Sequence, residues 1–126
     1  MTINSLSYLT AISQVIFDKK GFNTLILDIR PISDLTEYVV IAEGHINVHV
    51  QAIAQTLIEE MKQMGLQLYY AEGMKEGDWV VLDFSHIVVH LFQPGWREKY
   101  QLEKLWRAAD IVDVQIDTAP KFNQVI

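Results

Sequence analysis

A chain of 126 residues, half of them hydrophobic, is long enough to fold as one domain around a sizeable core, which excludes a disordered protein. Sixteen acidic against ten basic residues give a net charge of −6, which argues against a general nucleic-acid binder and suits either a basic partner or simple solubility. The absence of cysteine excludes disulfides and thiol chemistry, and without a signal peptide or a long apolar run we expect a cytoplasmic protein with no membrane association.

The first half of the chain carries two helical patterns and two strand patterns. Apolar residues recur every three or four positions in two segments, and two shorter segments are almost continuously apolar. We therefore predict, in chain order, a helix over 5–20, strands over 24–29 and 37–42, and a long helix over 44–64. Asn4 or Ser5 is expected to cap the first helix, and Gly65 is expected to end the second.

The second half is predicted to form three strands and a terminal helix. The strands are predicted over 67–72, 78–84 and Ile87–Phe92, and their short connections predict antiparallel neighbours. The helix begins after Pro94 and is expected to break near Gln101, with an apolar face that comprises Leu102, Leu105, Trp106 and Ala109. The alternating residues beyond 110 form either an edge strand or a loose tail, so we divide the chain into one domain over 1–110 and a C-terminal segment over 111–126.

The predicted order, α-β-β-α-β-β-β-α, indicates a mixed sheet packed by helices, of the α/β or α+β class. Nucleotidyl transfer is the obvious chemistry for a small sheet of this order, and it needs two or three convergent acids to hold metal and triphosphate. Asp28 and Asp83 each stand alone on their strands, and the sequence has no P-loop and no G-x-S-x-G or G-x-G-x-x-G motif. These residues therefore give little support for catalysis, and they indicate no cofactor.

Histidine occurs in two pairs, His45/His49 and His86/His90, each with three residues between its members. Four residues along a strand span roughly 13 Å, so the second pair cannot share one metal ion. The first pair lies at a helix start and offers two ligands, whereas zinc needs three or four. We predict no metal site, and we expect His49 or His90 to cap or to pack.

One face of the predicted sheet combines aromatic and charged side chains. Trp79, Val81 and Asp83 point to one side of their strand, and His90 and Phe92 are expected to share that side from the neighbouring strand. Aromatic residues with a few charges are typical of a protein-binding hot spot. The alternative is that the terminal helix, which carries Trp96 and Tyr100, buries this face as ordinary core.

Several stretches of the chain together match one family pattern. They are the segments 27–33, 37–42, 49–54, 72–73, 79–83, Ile87–Phe92 and 97–106. Trp-Val-x-Leu-Asp, Val-Val-His-x-Phe and the closing Tyr-x-Leu-Glu-x-Leu-Trp are the specific parts. On these motifs the chain, over roughly residues 5 to 110, resembles the ribosomal silencing factor family, also called iojap-like proteins.

The resemblance implies a binding protein with a nucleotidyltransferase-like fold that has lost its catalytic acids. Family members bind the fourteenth ribosomal protein of the large subunit, block joining of the small subunit and repress translation when nutrients run short. Organelle relatives assist large-subunit assembly. An acidic factor suits a basic ribosomal protein. No direct nucleic-acid specificity is implied.

The resemblance also implies a partner-binding site. Its residues are Glu72, Trp79, Asp83, His90, Phe92, Arg97 and Tyr100. We expect the aromatic residues to act as apolar anchors and the two acids to pair with Lys or Arg on the partner. His90 is alternatively expected to orient Asp83 across the strands, and Leu105 and Trp106 are expected to be core.

Two departures from the family pattern affect local structure. Glu43-Gly44-His45-Ile46-Asn47 replaces a hydroxyl-rich helix entry, which removes any phosphate-site argument and leaves Asn47 as a possible cap. Ser85-His86 replaces a Gly-Asp turn, which leaves the hairpin geometry open. Two rival functions are a diverged nucleotidyltransferase and a homo-oligomer, such as a homodimer, whose sheet face is only its own interface.

Overall fold

A computed structural model describes residues 4–119 of the chain. Its elements are α1 (Ser5–Asp18), β1 (Phe22–Asp28), β2 (Tyr38–Glu43), α2 (Asn47–Gln63), β3 (Tyr70–Glu72), β4 (Trp79–Asp83), β5 (Ile87–Phe92), α3 (Pro94–Tyr100), a 3₁₀ helix (Leu102–Trp106) and β6 (Asp110–Ile111). In this part of the chain, no helix is both long enough and apolar enough to cross a membrane.

The six strands form one sheet in the order β3-β4-β5-β2-β1-β6. β2 and β5 run parallel, with Tyr38 opposite Ile87 and Glu43 opposite Phe92. The other described neighbours are antiparallel, including β3 with β4 and β4 with β5. The predicted mixed sheet of the α/β class is therefore confirmed, and so are the antiparallel pairings predicted for the three shorter strands.

Helices α1 and α2 cover one face of this sheet. Five residues of the apolar stripe of α2 are buried, and they pack on the inward residues of the central strands, which include Val80, Leu82, Val89 and Leu91. These four residues are those that the period of two places opposite Trp79 and Phe92. Truncating a buried member of the stripe, such as Leu57→Ala, is expected to cost about 2–5 kcal/mol of unfolding free energy.

The start of α2 differs from the prediction. Gly44 directly follows β2 and still bonds to β5, because its N–H donates to the Phe92 carbonyl at 3.0 Å, and the helix begins three residues later at Asn47. Among the described residues, no side chain caps the first turn of α2. The His49 ring instead fixes the chain ahead of the helix, since its Nδ1 accepts the backbone N–H of His45 at 2.9 Å and its Nε2 lies 2.6 Å from the Lys19 carbonyl oxygen. His49 therefore has the packing role that was one of its two expected roles, with its ring stacked on His45 at 5.3 Å between centroids. The capping role expected for Asn47 is wrong.

Two other boundaries follow from local chemistry. Asn4 caps α1 as predicted, because its Oδ1 accepts the Ser7 N–H at 3.0 Å. Gly65 takes a φ of +91° directly after α2, as the predicted stop signal requires. The strand predicted over 67–72 is shorter, because pairing with β4 along the ladder is limited to Tyr70–Glu72.

The chain beyond the 3₁₀ helix returns to the sheet as an edge strand, which was one of the two predicted alternatives. In β6, Asp110 pairs with Asp28, and the N–H of Val112 donates to the Ile26 carbonyl at 2.9 Å. We call residues 112–117 the C-terminal strap. Its end is held by Gln14 on α1, whose side-chain amide exchanges two hydrogen bonds with the Asp117 backbone, at 2.7 and 2.9 Å. Residues 120–126 of the predicted segment lie outside the described part, and the division of the chain at 110 stays a prediction.

Candidate protein-docking surface

The face of the sheet opposite α1 and α2 is covered over only part of its width. Along β1 and β2 it packs against α3 and the 3₁₀ helix, in a buried cluster of Leu27, Ile29, Val39, Ile41, Phe92 and Leu102. Along β3 and β4 it reaches solvent. There Tyr70 and Glu72 are exposed, and Val81, Asp83 and Val88 are half-buried. We call these five residues, together with Trp79 and Tyr100 beside them, the docking surface.

Trp79 lies at the boundary between the covered and the open part. Its ring stacks on Phe92 at 4.9 Å between centroids and contacts Tyr100 at the same distance. The indole N–H donates to Nδ1 of His90 at 3.1 Å. Three side chains therefore fix the orientation of a half-buried indole, an arrangement that lowers the entropy lost when a partner binds it.

His90 supports Trp79 from below. Its side chain is 9% exposed, and this burial lowers the pKa of the imidazole to about 4, so the ring is neutral near pH 7. The hydrogen bond from Trp79 assigns the acceptor role to Nδ1 and hence the proton to Nε2. The expectation that His90 orients Asp83 is wrong, because the Oδ1 of Asp83 accepts the backbone N–H of Ser85 at 2.7 Å.

That hydrogen bond also fixes the turn between β4 and β5. Ser85 has a φ of +78°, and the N–H of Phe84 donates to the Ile87 carbonyl at 2.9 Å, which closes a tight hairpin over Ser85 and His86. A serine therefore occupies a left-handed position that glycine usually takes. Asp83 compensates by anchoring the turn with one carboxylate oxygen at the edge of the docking surface.

The structure places the remaining predicted residues in different environments. Phe92 is fully buried and contacts Trp79 from the core, so in this conformation it supports an anchor and does not itself face a partner. Tyr100 is 45% exposed. Arg97 lies inside the protein, with its side chain 12% exposed and paired with Glu43 and Glu103. Their roles in partner binding stay predictions.

One exposed residue escaped the sequence analysis, and a second was assigned to the core. Tyr70 shares the face of Glu72, and its hydroxyl donates to the Glu72 carboxylate at 2.6 Å, which raises the pKa of the tyrosine. The period of two along β3 was the signal that could have identified it. Leu105, predicted as core, is 70% exposed, because the chain turns at Gln101 and the 3₁₀ helix directs Leu102 inward instead. Trp106, also predicted as core, is only half-buried and packs against the covered cluster.

Acidic side chains at the ends of β1 and β2 form ion pairs with arginines. Glu43, at the end of β2, is 7% exposed and accepts from Arg97 at 2.9 Å. Asp28 pairs with Arg30 at 2.7 Å, and this contact lowers the pKa of the aspartate. Within residues 4–119, no three His, Asp or Glu side chains lie together in a way that could hold a metal ion.

Comparison with known proteins gives a consistent picture. The family model RsfS, "Ribosomal silencing factor during starvation", matches residues 2–124, which extends beyond the 5–110 over which the motifs were recognised. The ribosomal silencing factor RsfS of Bacillus subtilis is 35% identical over 112 residues, which cover 89% of this chain and 95% of that protein. Its counterpart in Haemophilus influenzae is 39% identical over 87 residues, covering 69% of this chain and 85% of the relative.

More distant relatives and solved structures agree. A mouse protein named mitochondrial assembly of ribosomal large subunit protein 1 is 31% identical over 76% of this chain and 45% of its own length. A crystal structure of a Chromobacterium violaceum protein superposes with a TM-score of 0.81 at 25% identity, covering 95% of this chain and 99% of the other. The similarity therefore covers both the sequence and the fold.

Proposed function

Because the chain belongs to the ribosomal silencing factor family, we propose that it represses translation by docking on the large ribosomal subunit and keeping the small subunit from joining. The proposed contact is the fourteenth large-subunit ribosomal protein, in the cytoplasm, under nutrient limitation. The name of the mouse relative supports a second role in large-subunit assembly. No catalytic step is part of this proposal.

The observation that carries the proposal is the open part of the sheet. Tyr70, Val81 and Val88 give it apolar contact area, and Glu72 and Asp83 give it negative charge. Aromatic anchors beside desolvated polar groups are typical of interfaces in which a few residues supply most of the binding free energy. A net charge of −6 favours association with a basic ribosomal protein, and it predicts that affinity falls as salt rises.

We assign the roles as follows. Trp79 and Tyr100 act as the anchors that contact the partner, because both are accessible and already oriented by their neighbours. Glu72 pairs with Lys or Arg of the partner, and Asp83 does so with the carboxylate oxygen that the turn leaves available. His90 and Phe92 hold Trp79 in place from the core.

The direct test is co-sedimentation of the purified protein with isolated large subunits. Glu72→Lys reverses a charge on the docking surface, and Glu60→Lys makes the same change in net charge on the exposed side of α2. We expect wild type and Glu60→Lys to pellet with the subunit, and Glu72→Lys to bind about tenfold more weakly, since like charges then face each other. Equal binding of the two variants would show that the docking surface lies elsewhere.

A second pair of assays separates the proposal from its rivals. Formation of whole ribosomes from purified subunits should fall as wild-type protein is added. The variant Trp79→Ala/Asp83→Ala should not inhibit this reaction, although its circular dichroism spectrum should remain that of a folded protein. Saturable binding of magnesium nucleotide would favour the nucleotidyltransferase. Loss of a homodimer in Trp79→Ala, with subunit binding intact, would favour the homo-oligomer.

A further inference from the structure

We propose that Arg97 is a positioning residue of the docking surface: its buried ion pairs fix α3, and α3 holds Tyr100 against Trp79. This inference rests on the proposed function for its effect on docking, although the geometry that it predicts exists in the free protein. It replaces the expectation that Arg97 itself contacts the partner with a role exerted through another residue.

Apart from Arg97, α3 is held mainly at its start, where Gln93 donates hydrogen bonds to Gly77 and Asp78. The helix comprises seven residues, from Pro94 to Tyr100, and none of them is fully buried. Trp96 packs at the margin of the covered cluster, and Lys99 lies over the rings of Trp96 and Tyr100 at the surface. A helix of two turns with so little buried area is not stable without tertiary contacts.

Arg97 provides those contacts by connecting α3 to three other segments. Its Nη1 donates to the Glu43 carboxylate at the end of β2, at 2.9 Å, and to the Asn23 carbonyl in β1. Its Nε donates to Glu103 in the 3₁₀ helix at 3.2 Å. Asn23 also donates to the same Glu43 oxygen, at 3.1 Å, so the carboxylate is held from two sides.

The local backbone explains how these groups meet. The ladder between β1 and β2 is irregular between Phe22 and Leu25, and Asn23 within this bulge has a φ of +53°. A bulge of this kind leaves backbone groups outside the ladder. The carbonyl of Asn23 is thereby available to Arg97, and the guanidinium matches it together with two carboxylates because its donors form a planar fork.

The effect reaches Tyr100 along one turn of helix. The N–H of Gln101 donates to the Arg97 carbonyl at 2.9 Å, and Gln101 ends the helix with a φ of +47°. The position of Arg97 therefore sets the end of α3, where the ring of Tyr100 contacts both Trp79 and Trp96, at 4.9 and 5.7 Å between centroids. Preorganising two aromatic anchors in this way lowers the ordering cost of binding.

The test is a double-mutant cycle between Arg97→Met and Tyr100→Ala, read as affinity for large subunits. We expect Arg97→Met to weaken binding about tenfold when Tyr100 is present and by no more than about twofold when it is alanine, because contacts that act through one another are not additive. Arg30→Met, which removes an exposed arginine–carboxylate pair beside α1, should bind as wild type. Additive losses would overturn the proposal.

A second readout needs no ribosome. Nuclear Overhauser contacts between the rings of Tyr100 and Trp79 should be present in wild type and in Arg30→Met and lost in Arg97→Met, and their persistence in Arg97→Met would refute the positioning role. If unpaired Glu43 unfolds the single variant, Arg97→Met/Glu43→Gln removes both charges and serves in the same measurements. Failure of wild type to bind subunits would refute the proposed function alone, because the ring contacts still decide the role of Arg97.

Discussion

Replacing His90 by asparagine is expected to remove most of a stability loss that acid causes in the wild-type protein. Burial lowers the pKa of His90 from 6.5 to about 4 in the folded state. Below pH 6.5 His90 is therefore protonated in the unfolded chain and still neutral in the folded protein. Because only the unfolded state binds this proton, the free energy of unfolding falls as the pH falls. The loss is present between about pH 6.5 and 4 and levels off below that range.

The size of the effect follows from the two pKa values. From this histidine alone, unfolding free energy at pH 5 is expected to be about 2 kcal/mol lower than at pH 7, and about 3 kcal/mol lower at pH 4. Protonation also removes the acceptor for the Trp79 indole, since both imidazole nitrogens then carry hydrogen. Asparagine does not titrate, and its amide oxygen can take the place of Nδ1.

Urea unfolding at pH 7, 6 and 5 measures the effect directly. The other titrating groups are common to both proteins, so the difference between wild type and His90→Asn isolates this site. His86→Asn is the matched control, because it removes an exposed histidine and keeps His90, and it should retain the full loss. The same pH dependence in wild type and His90→Asn would refute the assignment of the loss to His90.

Four further predictions concern other parts of the fold. Gly73→Ala should lower the free energy of unfolding, measured with urea, by more than about 2 kcal/mol, because at a φ of +84° its methyl group would lie 2.0 Å from the Trp79 carbonyl oxygen. Gly95→Ala, in α3, should raise the free energy of unfolding by about 0.5 kcal/mol, since its methyl group meets no described atom within 4 Å. A lower free energy of unfolding would contradict this geometry. Leu105→Ser should change unfolding free energy by less than about 0.5 kcal/mol, and a loss of about 2 kcal/mol or more would return this leucine to the core. Gln14→Ala should speed amide hydrogen exchange in the C-terminal strap and leave the central strands unchanged, whereas unchanged exchange in the strap would show that this side chain does not hold it.

The elements that local chemistry determines were predictable from sequence. β5 has the predicted bounds, because a continuous apolar run between a turn and Pro94 leaves little choice, and Asn4 marks the start of α1. Trp79 and Asp83 lie on the predicted face because strand periodicity alone decides that. The sequence alone did not show which residues of the neighbouring strands lie beside Trp79 and Asp83.

The errors arose where distant segments meet. Arg97 is largely buried because its guanidinium bonds to Glu43 and to the backbone of the β1 bulge. Both are distant in the chain, so the residues around Arg97 do not indicate these contacts. α2 starts late because Gly44 still bonds to β5, a strand distant in the chain. Leu105 was assigned by a period that ends at Gln101, where the left-handed residue starts a new helix direction. The pattern therefore predicted which residues share one face of the sheet more reliably than it predicted their individual contacts.

The parallel pairing of β2 with β5 also has a consequence for the order of folding. β2 is made early, but its neighbour in the sheet is β5, which follows α2, β3 and β4 in the chain. Pairing strands so far apart requires closing a long loop before its contacts are gained, which slows folding. During synthesis, β2 cannot complete its pairing with β5 until Phe92, the last residue of β5, has left the ribosome. A protein assigned to act on ribosomes can thus acquire its docking surface only after most of its own translation is complete.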